Sequence, residues 1–173
     1  MCSEHNEVAL QSGMLRKWLV TCLIALSPSA AAALCSYDGV YNAKTSVSQE
    51  FRDAQWVVRV HILSADYHWS DEDDSWTVYR LKAVRVYKGK MRSDFNVFTY
   101  RDSGGFYMDG NGAVPDLDRD YLLFLVSDAW LNTAPRAARG ALRVNYSCGQ
   151  SKLWADVTDK EQAQLRWLSR RHR

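Results

Sequence analysis

Runs and alternations of apolar residues predict a mostly β chain framed by two helices. In residues 46–55, SVSQEFRDAQ, Val47, Phe51 and Ala54 fall on one side at helical spacing, which predicts a short helix. Residues 56–63, WVVRVHIL, are β-branched and apolar apart from Arg59 and His61, so a strand with one wetter face is expected. In 77–89, TVYRLKAVRVYKG, Val78, Arg80 and Lys82 and then Val84 and Val86 keep a period of two that breaks once between Leu81 and Ala83. That predicts a long strand carrying a bulge and ended by Gly89. Residues 95–100, FNVFTY, predict a further strand, 120–126, DYLLFLV, a core strand, and 141–148, ALRVNYSC, a last alternating one.

Polar stretches separate these segments. Asp71, Glu72, Asp73 and Asp74 lie between Trp69 and Trp76 and read as a soluble hairpin loop, while 102–118 is a long glycine-bearing loop. Past Asp156, Thr158 with Glu161 three residues on is a capping-box signature for a C-terminal helix. Ala163, Trp167 and Leu168, with Leu165 alongside, would form the stripe that docks on the sheet. No internal repeat or proline-rich linker splits off a second domain.

The start of the chain has a different logic. From Met14 the sequence reads MLRKWLVTCLIALSPSAAAALC: Arg16 and Lys17, an apolar stretch over 18–26, then small residues. These are the parts of a secretory signal. The apolar stretch is interrupted by Ser27, Pro28 and Ser29, well short of the roughly 20 residues a membrane span requires. Cleavage after Ala33, with Ala31 two places before it, leaves Leu34 first; a cut after Ala32 is nearly as good, a start at Cys35 stays open, and so does translation from Met1 or Met14. The expected organisation is an upstream segment and signal over 1–33 and one domain over 34–173. The product is expected in the periplasm or outside the cell, with no stable membrane span after cleavage.

Removing 1–33 takes Cys2 and Cys22 away and leaves Cys35 and Cys148 as a pair in an oxidising compartment. A disulfide between them is expected, with two free buried thiols as the alternative. Two cysteines without a nearby histidine pair lack zinc-site spacing.

Composition changes the picture little. Of 173 residues, 47% are apolar and 24% charged, the balance of a globular protein, and the net charge is +2. Basic and acidic residues interleave, except for Arg166, Arg170, Arg171 and Arg173 at the end of the last helix, so nucleic acid is not an expected partner.

Candidate chemistry is sparse. His61, His68 and His172 have no partner at a motif spacing, and there is no nucleophile elbow, HExxH helix, phosphate loop or dinucleotide fingerprint. Asp109, Asn111, Asp116, Asp118 and Asp120 are oxygen-rich enough to weigh calcium, but they lack the EF-hand spacing, and turn chemistry accounts for the Asp-Gly and Asn-Gly pairs. The expectation is therefore no catalytic residue, no metal and no cofactor; a hydrolase using Asp116 and Asp118 is the less favoured alternative. Trp69, Trp76 and Trp130 fall in or beside loops, where exposed aromatic rings mark binding surfaces or cover the ends of a barrel.

Several short motifs occur in a telling order. Cys35-Ser36 follows the signal, 54–58 reads Ala-x-x-Val-Val, and 86–89 reads Val-Tyr-Lys-Gly. Gly104 and Gly105 come next, then Tyr-Leu-Leu-Phe over 121–124 and Cys-x-x-Ser over 148–151. In this order the chain resembles the bacterial relatives of the tissue inhibitor of metalloproteinases, a netrin-like module, over nearly all of 35–154. The resemblance implies a five-stranded, closed OB-like barrel with a short N-terminal helix, here followed by the C-terminal helix. It also implies a non-catalytic, monomeric binding module whose N-terminal cysteine faces a metalloprotease zinc. Tyr37 occupies the place of the family's second cysteine and the loop over 104–108 holds no cysteine, so the family's cysteine-tethered chelating edge is incomplete here. Candidate partner-binding residues are Cys35, Ser36, Tyr37, Trp69, Trp76 and Phe106. The partner is expected to be a metalloprotease or an envelope component, with an envelope polymer or a membrane protein as the alternative.

Overall fold

A computed structural model of the chain describes residues 35–69, 75–101, 104–109, 116–127 and 135–172. The signal segment, the acidic loop 71–74, Asn111 and Trp130 lie outside the described residues. The first described element is a small hairpin, β1 (Ser36–Tyr37) and β2 (Val40–Tyr41), followed by helix α1 (Val47–Asp53). Ser46 caps α1 by accepting the Gln49 N–H, and Val47, Glu50 and Phe51 are its buried residues.

The main sheet is antiparallel throughout its strand pairs. Strands β3 (Trp56–His68), β4 (Trp76–Lys88), β5 (Asp94–Tyr100), β6 (Asp120–Val126) and β7 (Arg143–Val144) lie in the order β5-β4-β3-β6-β7, and β8 (Lys152–Leu153) also pairs with β6. Register shifts leave Leu63 of β3 and Val84 and Tyr87 of β4 without a directly opposed partner. The expected bulge is therefore present but sits at Val84, just past the expected break, with another at Tyr87. Such extra residues increase local twist and bend a sheet.

The sheet curls into a half-barrel and does not close in the way expected. Between β5 and the segment entering β7 there is one parallel bridge, Val97 with Leu142, made by Leu142 N–H to Asn96 O and Phe98 N–H to Leu142 O, each 2.8 Å. The predicted strand over 141–148 cannot seal the gap because its ladder is two residues long. Asn145 still donates to Phe124 O, and then the chain turns away toward Cys148.

Both faces of the curl are buried, which explains the apolar run of β6. Tyr121, Leu123 and Leu125 join Val58, Val60, Ile62, Tyr79 and Leu81 on the concave side, while Leu122 and Phe124 join Val57, Tyr87, Phe51 and Val157 on the other. Helix α2 (Asp159–Arg171) covers that second side with α1. Thr158 and Glu161 form the expected reciprocal capping box. The docking stripe differs from the expected one: Leu165 and Leu168 are buried, whereas Ala163 is exposed and Trp167 lies beneath Arg171 at 46% exposure. Among the described residues no helix is long and apolar enough to cross a membrane.

The short motifs act in the fold. Ala54 is the buried C-cap residue of α1. The Lys88 ammonium donates to the carbonyls of Phe51 (2.8 Å), Arg52 (2.8 Å) and Ala54 (2.7 Å), satisfying acceptors that a helix end leaves open. Burial lowers the Lys88 pKa. Ser151 Oγ is buried and accepts the Phe124 N–H at 3.0 Å.

Candidate functional site

Two separate regions hold the residues singled out from the sequence. At the first, Cys35 and Cys148 are disulfide-bonded with Cα atoms 5.9 Å apart, bearing out the expected pairing. Cys35 is 5% exposed and packs with Tyr37, Tyr146 and Ala43. Its N–H donates to Asn42 Oδ1 at 3.3 Å, and its carbonyl accepts the Asn42 N–H at 2.7 Å. The backbone atoms that a zinc-chelating edge would use are thus engaged within the hairpin. Ser36 is exposed, while Tyr37 is buried with its hydroxyl donating to Asp53. Burial and the Asp53 carboxylate push the Tyr37 pKa up, and that same bond holds Asp53 below the ordinary carboxylate value.

Glu50 completes this corner from inside. It is 0% exposed; Oε1 accepts from Thr45 Oγ1 and from the Gln150 N–H at 2.8 Å, and Gly149 lies against the carboxylate where a side chain would not fit. Burial raises the Glu50 pKa, and the hydrogen bonds from Thr45 and Gln150 offset only part of it. The folded state therefore holds this proton more tightly than the unfolded chain. The group's contribution to stability is complete in acid and declines as pH rises from the ordinary carboxylate value through the raised one. Glu50→Gln is expected to remove that decline, so urea midpoints at pH 4 and pH 8 should differ by less loss toward pH 8 than in the wild type. Parallel pH profiles for the two proteins would contradict this assignment.

The second region is one mouth of the half-barrel, at the far end of β3 and β4. Alternation separates the two tryptophans there. Trp76 stacks on His68 (5.0 Å between centroids) and tilts against Phe98 on the convex side. Trp69 stacks on Tyr67 (6.2 Å, 17° between planes), and the Arg101 guanidinium lies 5.1 Å from the Tyr67 ring, 4.9 Å from Trp69 and 4.8 Å from Tyr107. Trp69 remains 62% exposed and Tyr107 36% exposed.

Arg101 is fixed from below. Its guanidinium pairs with buried Asp109 and donates to Thr77 Oγ1 at 3.0 Å, and Tyr79 donates to Asp109 Oδ1 at 2.6 Å. The Tyr79 hydroxyl in turn accepts the Met108 N–H at 3.2 Å. Burial and Asp109 push the Tyr79 pKa strongly upward; for Arg101, burial opposes its charge but the Asp109 bond outweighs it. A buried ion pair with its hydrogen bonds satisfied fixes position more than it adds stability. The cation holds a set of aromatic rings in place at the chain surface.

Phe106 stands beside this platform, edge-on to Tyr121 at 6.5 Å. With Tyr107, Asp116, Arg119, Tyr121 and Lys152 it lines a groove of about 620 Å³. Tyr121 donates to Asp116 at 2.5 Å, and Arg119 lies 3.7 Å from the same carboxylate. Tyr107 belongs to both platform and groove. Of the six candidate partner-binding residues, the structure thus brings Trp69 and Phe106 to one mouth, turns Trp76 to the other side of the hairpin, and keeps Cys35, Ser36 and Tyr37 at the disulfide corner.

The aspartates weighed for calcium have other partners. Asp109 and Asp116 are engaged as above, and Asp120 pairs with Arg59 at 2.5 Å and lies 2.8 Å from His61 Nδ1. Burial raises the Asp120 pKa, but the His61 and Arg59 bonds bring it below the ordinary value. Asp118 is exposed at φ +61°, 3.7 Å from His61 Nε2. Among the described residues no group of three or more His, Cys, Asp or Glu side chains is arranged to hold a metal ion. No protein-family model matches the chain, and no curated protein matches it.

Proposed function

We propose that the protein is an exported, non-catalytic binding module, of the kind the metalloproteinase-inhibitor resemblance implies, that grips a protein partner through the aromatic mouth. The observation that carries this is the Trp69–Tyr107 pair held on Arg101. Trp, Tyr and Arg dominate the energetic centres of protein interfaces, and rings already ordered lose little freedom on binding. In the adjoining groove Asp116 is held by Tyr121 and Lys152 by Glu161 at 2.7 Å, which leaves Phe106 beside the exposed Arg119 and suits a peptide segment with an apolar side chain next to an acidic one.

A zinc metalloprotease is the partner suggested by the resemblance. The chelating edge is less favoured as the contact, because Cys35 N–H and C=O are already bonded to Asn42. The disulfide-closed protein, added to a panel of zinc proteases, is expected to slow at least one in a concentration-dependent way. Trp69→Ala with Tyr107→Ala should raise the inhibition constant at least tenfold, and an added N-terminal residue should leave it unchanged. Inhibition that ignores the aromatic variant and vanishes with the added residue would place the contact at Cys35 instead. No inhibition across the panel would remove proteases as partners and favour an envelope component.

A further inference from the structure

The opposite mouth of the half-barrel has its own cleft, and its chemistry is different. It opens between the turn after β4 and the segment entering β7, has a volume of about 610 Å³, and lies where, among the described residues, β5 has no strand alongside it below the Leu142 bridge. Trp56, Met91, Phe95 and Leu142 form an apolar floor continuous with the concave core. Arg80, Lys90 and Arg92 form the rim.

The rim is not neutralised. Asp94 is the acid of the lining, and it is paired with Arg80 at 3.1 Å. Lys90 and Arg92 are exposed and have no acidic partner among the described residues. The floor is rigid where the two parts meet, since the Trp56 indole N–H donates to Lys90 O at 2.9 Å and Gly89 packs directly on the same ring. An apolar cavity of this size with a few convergent polar groups is the usual form of a small-molecule site, and barrel mouths are among its usual places.

From this juxtaposition we propose that the cleft binds a small amphiphilic anion, its apolar body on Trp56, Met91, Phe95 and Leu142 and its carboxylate or phosphate head between Lys90 and Arg92. The site is independent of the aromatic mouth, so either assignment can fail without the other. An uncharged apolar ligand would leave the two cations unused, and a bare anion would leave the apolar floor wet.

Calorimetric titration with decanoate below its micelle concentration tests the assignment, with acetate as head alone and decanol as tail alone. Decanoate is expected to bind at least tenfold more tightly than either, more weakly as salt is raised, and to shift the amide signals of Lys90, Asn96 and Leu142. Lys90→Glu with Arg92→Glu should weaken decanoate at least tenfold and leave decanol unchanged. The charge-matched control, Arg166→Glu with Arg170→Glu on α2, should bind decanoate as the wild type does. Equal decanoate affinity in the Lys90/Arg92 variant, signal shifts confined to other residues, or absence of decanoate binding would overturn the proposal.

Discussion

Gly89→Ala is expected to lower the unfolding free energy by about 2–4 kcal/mol, since it combines a backbone penalty with a clash in packed surroundings. Gly89 has φ +79°, and an added Cβ would lie 2.5 Å from Trp56 Cδ1 and 2.8 Å from Gln55 O. Neither neighbour can move freely: Trp56 is tied to Lys90 O, and Gln55 N–H donates to Leu125 O at 2.9 Å. Gly140 supplies the comparison, because its φ is +75° but nothing lies within 4 Å of its Cβ position. Gly140→Ala should therefore show the backbone penalty alone, about 1–2 kcal/mol. Urea titrations of the two variants read the difference, and equal losses would show that the packing of Trp56 on Gly89 contributes nothing.

Removing the disulfide should have the other large effect. The bond closes a loop with a sequence separation of 113 residues and ties the β1–β2 hairpin to the segment after β7. Constraining an unfolded chain over that length is worth about 4–5 kcal/mol in the chain-entropy picture, and native bonds of small exported domains typically contribute 2–5 kcal/mol. Cys35→Ala with Cys148→Ala is expected to lose about that much. The loss should concentrate at the corner, because Gln150 N–H and Gly149, which enclose Glu50, follow Cys148 directly. Hydrogen exchange should accelerate most around Tyr37, Glu50 and Gln150. A variant as stable as the wild type, with protection intact at those residues, would contradict the role given to the bond.

The parts of the fold set by local pattern were legible in the chain. Helix α1, β6 with its exact bounds and the Thr158–Glu161 cap rest on spacing within a few residues, and each is present. What depends on pairing partners was not. Residues 64–68 lack an apolar run, yet they continue β3 because 76–80 lie opposite them. The alternation of 141–148 suggests a full strand, but only Arg143 and Val144 keep the ladder before the disulfide and Glu50 draw the chain aside. The sequence points to Trp167 on the docking face of α2 because it is the largest apolar residue there, whereas in the structure Arg171 lies over its ring and it stays at the surface.

The aromatic mouth was half legible. Exposed tryptophans beside a predicted hairpin loop singled out Trp69, but its separation from Trp76 was not legible, because the extra residue Leu63 shifts the phase of β3 and unbroken alternation would put both rings on the outer face. The part that orders the site, Arg101 with Asp109 and Tyr79, carried no signal of its own. Asp109 precedes a glycine in a polar stretch and reads as a turn residue, and its partners come from β4 and from just past β5. Long-range ion pairs of this kind leave no periodic trace in a single sequence.

Intact mass with N-terminal sequencing of protein from the exported fraction tests most directly whether the module is exported and disulfide-closed. The predicted result is a chain beginning at or next to Leu34, two hydrogens lighter than the reduced sequence, with no thiol available to alkylation. A chain retaining residues 1–33, with Cys35 and Cys148 both alkylated without prior reduction, would contradict it.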